Sequence, residues 1–195
     1  MMIRMATEAD LPRMLEIYAP YILHTTVSFE YTVPTAAEFL QRFREITAQF
    51  PWLVWQDEEG IVQGYAYASA PFSRAAYRWC AEPSIYLVPQ ARGQGIGAKL
   101  YQVLEDMLRR QGYRVLYALI ASENTDSLHF HAKMGYHFVM ELPRCGYKFD
   151  HWIGLAWMEK RSKIVENPNN TPRPWMDVVQ NTKNLSDILD NLSLF

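Results

Sequence analysis

The chain has 195 residues, 49% of them hydrophobic and 14% aromatic, which is enough for one folded domain with a sizeable core and argues against extensive disorder. Its net charge of −2, with basic residues scattered rather than clustered, gives no electrostatic footprint for nucleic acid. Its two cysteines, Cys80 and Cys145, have neither metal-binding spacing nor the makings of a disulfide framework; they read as free thiols of a reducing cytoplasm.

Met1-Met2-Ile3-Arg4-Met5 runs straight into polar residues, a start without the pattern of a secretory signal. No apolar stretch approaches the roughly 20 residues of a membrane-spanning helix, so neither membrane nor nucleic acid is expected as a partner. Residues 2–6 read as a short strand. Thr7 and Asp10 give a capping signal, after which Leu11, Leu15, Tyr18 and Ile22 recur at helical spacing. Residues 28–32 form an irregular aromatic link, and Pro34-Thr35 opens a second helix with Phe39, Phe43 and Ile46 on its apolar face. Residues 52–55 and 61–68 read as strands joined by the acidic turn Asp57-Glu58-Glu59-Gly60, a hairpin signal. Residues 71–77 read as a loop and 80–88 as a long strand leading into a glycine-rich turn. A helix over 98–110 follows, with Leu100, Val103, Leu104 and Met107 on one face. Residues 114–120 make a buried type of strand. Asn124 begins a short helix that runs to about Met134 and is ended by Gly135, and residues 136–142 and 151–157 are two neighbouring strands. The order β-α-α-β-β-β-α-β-α-β-β describes an α/β domain over residues 1–160, a mixed central sheet with helices on both faces. Residues 161–195 have a different texture. Residues 167–174 are a linker by composition, and Val178, Thr182, Leu185, Ile188, Leu189 and Leu192 fall on one face of an amphipathic helix that docks on its own domain or on a partner subunit.

The turn Arg92-Gly93-Gln94-Gly95-Ile96-Gly97 carries the most chemistry. Glycines at alternate positions let the backbone approach a bound group closely. The free N–H groups at the start of the following helix, its dipole and an arginine then make a seat for phosphate or pyrophosphate. A plain strand-to-helix turn is the rival reading. Lys99 precedes Leu100, so no hydroxyl stands where a nucleotide P-loop holds magnesium, and the spacing G-x-G-x-G is not the dinucleotide fingerprint.

Two segments together are specific: Gln90-Ala91-Arg92-Gly93-Gln94-Gly95-Ile96-Gly97, and Asn124-x-x-Ser127-x-x-x-His131-x-x-x-Gly135-Tyr136. The pair resembles the GNAT superfamily of acetyl-CoA-dependent N-acetyltransferases. Thr25-Thr26-Val27-Ser28-Phe29, Arg74-Ala75-Ala76-Tyr77-Arg78-Trp79-Cys80-Ala81-Glu82 and Cys145-Gly146-Tyr147-Lys148 are similar to segments of phosphinothricin acetyltransferases, which act on small amino-acid-like amines. The resemblance covers residues 3–158.

It implies a GNAT fold in which a splayed strand pair holds acetyl-CoA. The coenzyme's pyrophosphate would lie over residues 93–98, that is Gly93, Gln94, Gly95, Ile96, Gly97 and Ala98, beside Arg92. Ile85, Tyr86, Leu87 and Val88 would offer backbone groups to the pantetheine arm, as another strand would. Asn124 matches the position that bonds that arm, and Lys133 flanks the cofactor; an N-cap is the other role open to Asn124, and the two are compatible. Glu82, a carboxylate entering an apolar strand, matches an acidic residue of the resembling enzymes and is the candidate general base; a surface or salt-bridged glutamate is its rival. His131 stands where many members place a tyrosine that protonates the coenzyme thiolate; a histidine packed on the core is the alternative. Arg74, with Arg78 as a second choice, would take the acceptor carboxylate, and Phe29, Phe72, Tyr77, Glu82 and Ser84 would line the acceptor pocket. At Lys148-Phe149-Asp150 and Trp152-Ile153-Gly154 the chain departs from the herbicide-resistance enzymes, so methionine sulfone and methionine sulfoximine stand beside phosphinothricin as acceptors. The resemblance further implies a homodimer and a reaction without metal. Two other functions remain open: a GNAT-fold acyl-CoA-binding module without catalysis, and acetylation of proteins or peptides.

Overall fold

The computed structural model describes residues 2–162 and 171–181. Seven strands form one sheet in the order β1-β2-β3-β4-β5-β7-β6. They are β1 (Met2–Met5), β2 (Trp52–Gln56), β3 (Val62–Ser69), β4 (Cys80–Leu87), β5 (Val115–Ala121), β6 (His137–Lys148) and β7 (His151–Arg161). Every pairing is antiparallel except β4 with β5. The helices are α1 (Leu11–His24), α2 (Ala36–Thr47), α3 (Ile96–Gln111), α4 (Thr125–Lys133) and α5 (Trp175–Asn181). Up to β7 the order of strands and helices is the one expected from sequence.

Both faces of the sheet are covered, so its central strands are apolar on both sides. On one face α1 and α2 pack Met14, Ile17, Ile22, Phe39 and Phe43 against Trp52, Val54 and Tyr65. On the other, α3 packs Leu100, Leu104, Met107 and Leu108 against Leu53, Ala66, Ala81 and Ala118. The buried stripe of α1 runs through Met14 and Ile17, and Leu15 is only partly covered. Helix starts are secured by side chains. Asp10 accepts from Thr7 at 2.8 Å in a capping box, and its carboxyl is held below the usual range by the Arg4 guanidinium at 2.7 Å. Thr35 and Glu38 make the same box on α2.

The sequence reading falls short in β6. Beyond the expected segment 136–142 the strand continues through Pro143 to Lys148 with two register shifts. Proline is tolerated there because β6 is an edge strand. The two-residue turn Phe149-Asp150, with φ of 50° and 61°, has the positive values at both positions that suit a tight hairpin. In the last segment, Trp175 Nε1 donates to the Thr47 carbonyl at 2.8 Å, and Gln111 Nε2 donates to the carbonyls of Gln49 and Arg173 at 2.8 and 2.7 Å. With Val178 buried, α5 is docked on the domain itself. The remainder of the expected amphipathic face, Thr182, Leu185, Ile188, Leu189 and Leu192, and most of the linker lie outside the described residues. Among the described residues no helix is long and apolar enough to cross a membrane.

Candidate active site

Strands β4 and β5 pair at only two positions, Cys80 with Val115 and Ala81 with Leu116, and then part. The cause is local. The Val88 amide bonds Gln63 of β3 at 2.9 Å, so by strand alternation the amides of residues 87, 85 and 83 face away from β3, toward β5. Residue 83 is proline and has no N–H to offer, so the parallel ladder stops. β4 stays bound to β3 through Leu87, and β5 to β7 through Ala121, leaving a V-shaped opening whose sides are strand edges. The Ile85 amide points into it. Leu87 offers no free backbone group, since Tyr21 Oη lies 3.1 Å from its N and 2.5 Å from its O.

The glycine turn closes one end. Gly93 and Gly95 take φ of +73° and +78°, the left-handed region that L side chains rarely adopt, and a Cβ on either would meet nothing within 4 Å. Gly95 N-caps α3 without a side chain, and the first helical bond to it is Lys99 N to Gly95 O at 3.1 Å. The amides of Ile96, Gly97 and Ala98 therefore have no intrahelical acceptor. The helix start lies against β4, where a Cβ at Gly97 would make ordinary contact, 3.5 Å, with the Ile85 and Leu87 side chains. Arg92 is exposed, with its guanidinium carbon 5.2 Å from the centre of the Tyr21 ring, and Gln94 bonds back to the Gln90 carbonyl at 2.6 Å. Asn124 caps α4, its Oδ1 accepting from the Ser127 amide at 3.2 Å, and also lines the cleft. Lys133 is exposed at the opposite end of that helix.

Deep in the opening, His131 is buried. Its Nδ1 lies 2.8 Å from the Ser127 carbonyl, which can only accept, so the proton sits on Nδ1 and Nε2 is an acceptor for the Tyr101 hydroxyl at 2.8 Å. The same hydroxyl lies 3.1 Å from the Pro83 carbonyl. Burial lowers the His131 pKa and keeps the ring neutral, while Tyr101 is pushed up by burial and nearby carboxylates. Glu82 has no hydrogen-bonding or ionic partner among the described residues, and burial pushes its carboxyl above the ordinary range. It lines both a narrow cleft of about 70 Å³, with Ile85, Asn124, Tyr101 and His131, and a chamber of about 520 Å³, with Phe29, Glu30, Ser84 and Tyr67.

The profile of the acetyltransferase (GNAT) domain matches residues 3–157, nearly the whole of this fold and every element of the cleft. The chain belongs to the GNAT acetyltransferase family. It is 31% identical over 178 residues to the phosphinothricin N-acetyltransferase of Streptomyces viridochromogenes, covering 91% of this chain and 94% of the relative. It is 34% identical over 160 residues to the L-methionine sulfoximine/L-methionine sulfone acetyltransferase of Salmonella typhimurium, covering 82% and 93%. A crystal structure of a GNAT superfamily phosphinothricin acetyltransferase from Sinorhizobium meliloti, in complex with acetyl-CoA, superposes with a TM-score of 0.81 at 37% identity, covering 88% of this chain and 92% of the other. This GNAT protein is thus an acetyl-CoA-dependent N-acetyltransferase. Its cleft suits such a substrate: unpaired amides at a helix start for a diphosphate, and an open strand edge for an amide-bearing arm.

Among the site residues expected from sequence, the GNAT cleft gathers Glu82, Ser84, Ile85, Tyr86, Asn124 and His131 in one place, and Phe29 joins Glu82 in the larger chamber. Phe72, Arg74 and Tyr77 line a different cavity, together with Arg78 and with Thr171 and Pro172 near the end of the described chain. The loop that carries them is held by an aromatic cluster. Phe72 packs 5.9 Å from both Trp157 and Tyr117 and 4.6 Å from Tyr77, ring centre to ring centre. Sequence reasoning missed Tyr101, Tyr21 and the Arg42–Glu30 ion pair at 2.8 Å beside the chamber. Tyr101 carried one usable signal, a hydroxyl on the buried face of the cofactor helix.

Proposed function

We propose that this enzyme moves the acetyl group of acetyl-CoA to the amine of a small amino-acid-like acceptor of the phosphinothricin, methionine sulfone or methionine sulfoximine type. One observation carries the reading. A half-buried, unpaired carboxyl, Glu82, stands where the narrow cleft meets the acceptor-sized chamber. The relatives' names point to the same acceptors.

In this mechanism the amides of residues 96–98 hold the diphosphate, and the Ile85 amide polarises the thioester carbonyl as an oxyanion donor. Glu82 takes a proton from the acceptor ammonium, the freed amine attacks the carbonyl carbon, and the carbon–sulfur bond breaks. Tyr101, oriented by His131, gives its proton to the departing sulfur. The second nitrogen proton, released as the amide forms, restores the pair. Arg74 is exposed in the neighbouring cavity beside Phe72; in this reading it takes the acceptor carboxylate when the loop over residues 72–78 turns toward the chamber. The enzyme works in the cytoplasm, which suits its free thiols Cys80 and Cys145, and as a homodimer that covers the exposed Phe138, Val139 and Met140 of edge strand β6.

The test is a thiol-release screen of acetyl-CoA against amino acids, their sulfone, sulfoximine and phosphinate analogues, simple amines and peptides. Acceptor-dependent release is expected for the amino-acid analogues; release with peptides alone would overturn the reading. In the same screen Arg74→Ala should raise KM about tenfold for carboxylate-bearing acceptors, the scale of one charge-assisted hydrogen bond, and spare simple amines. Equal losses for both would remove Arg74 from that role.

A further inference from the structure

The motif Gly146-Tyr147-Lys148 at the end of β6 has no part in the chemistry above, yet all three residues converge on one loop, 25–31, between α1 and α2. Lys148 is only 5% exposed. Its ammonium donates to the carbonyls of Ile22 at 2.7 Å, Thr25 at 2.9 Å and Ser28 at 2.6 Å. Three donors meet three acceptors, so no proton remains for a ligand. The Ile22 carbonyl belongs to the last turn of α1, where unsatisfied carbonyls and the helix dipole favour a cation. One residue back, the Tyr147 carbonyl accepts from the Tyr31 hydroxyl. One further back, glycine is required by close approach, since a Cβ at Gly146 would fall 2.5 Å from the Phe29 ring.

Val27, Ser28, Phe29 and Glu30 of this loop form one wall of the chamber that Glu82 faces. The strand end is itself rigidly set, with Gly146, Tyr147 and Lys148 in register with Ile153, Trp152 and His151 across the hairpin. We propose that Gly146, Tyr147 and Lys148 form a clasp that fixes the acceptor wall from behind, with Lys148 a positioning residue for acceptor binding that never touches the acceptor. The proposal rests on the chamber being the acceptor site, as proposed above.

The experiment compares wild type, Lys148→Met and Tyr31→Phe. For Lys148→Met the acceptor KM should rise at least about tenfold while the acetyl-CoA KM stays within about twofold, because the diphosphate seat and β4 are untouched. Hydrogen exchange of the amides in 25–31 should quicken. Tyr31→Phe removes only the link to Tyr147, so it provides the milder case should Lys148→Met fail to fold; its acceptor KM should rise about two- to fivefold. A folded Lys148→Met with unchanged acceptor KM and unchanged exchange overturns the clasp, as does a parallel rise in both KM values. For Tyr31→Phe, unchanged acceptor KM and exchange overturn it equally. A wild type that turns over no acceptor in the panel defeats the acceptor assignment instead, and exchange in 25–31 still reads the clasp.

Discussion

Replacing Glu82 by glutamine should lower kcat by about 10²–10⁴-fold, the usual contribution of a positioned general base, while the acetyl-CoA KM moves by less than about twofold. The side chain keeps its shape and loses only its ability to take a proton. Burial raises the pKa of this carboxyl, so the rising limb of the wild-type kcat/KM profile should lie above the ordinary glutamate range and vanish in the variant. Stability gives an independent check. A carboxyl whose folded pKa exceeds its unfolded one favours the native state below the unfolded pKa, and that contribution is lost as pH rises through the folded value. Glu82→Gln should therefore melt higher than wild type at neutral pH, with the gap closing below the ordinary carboxylate pKa. Unchanged kcat, or a variant that melts lower at neutral pH, would remove Glu82 as a base of raised pKa.

The second large effect belongs to the diphosphate seat. Gly95 adopts φ of +78°, and an L residue in the left-handed region costs about 1–2 kcal/mol, which corresponds to about 5–30-fold in affinity. Gly95→Ala should raise the acetyl-CoA Kd by that factor in a titration and leave the acceptor KM unaltered. Gly95→Asn is the control. Asparagine tolerates this backbone region and can cap α3, so it should lose less. Equal losses for Ala and Asn would mean that the added Cβ collides with the ligand and that backbone strain is not the cause.

Most of the architecture could be read from the chain because local signals agreed with the global fold. The glycine turn fixed the strand–helix junction at residues 92–97, hydrophobic periodicity gave α1, α2 and α3, and the acidic turn gave the β2–β3 hairpin. The far half of β6 could not be read this way. Pro143 and Gly146 look like turn residues until the strand is known to lie at an edge and to accommodate Phe29. For the site, residues that alternate along one strand, Glu82 and Ser84, could be placed together from sequence. Arg74 and Tyr77 could not be placed against them, because the loop that carries them is steered by Phe72 stacking on Trp157, eighty-five positions away in the chain. The Tyr101–His131 hydrogen bond was equally hidden, since it joins two helices whose crossing no local pattern encodes.

The ammonium of Lys148 recognises Ile22, Thr25 and Ser28 only through their carbonyl oxygens, which every amino acid possesses. A chamber wall suspended from its main chain leaves the identities of residues 27 and 30 unconstrained by the suspension, whereas the Phe29 ring packs on Gly146. Successive substitutions there can retune which amines are accepted while the proton-handling strand stays as it is. Laboratory evolution toward new acceptors would accordingly begin with randomised libraries at positions 27 and 30.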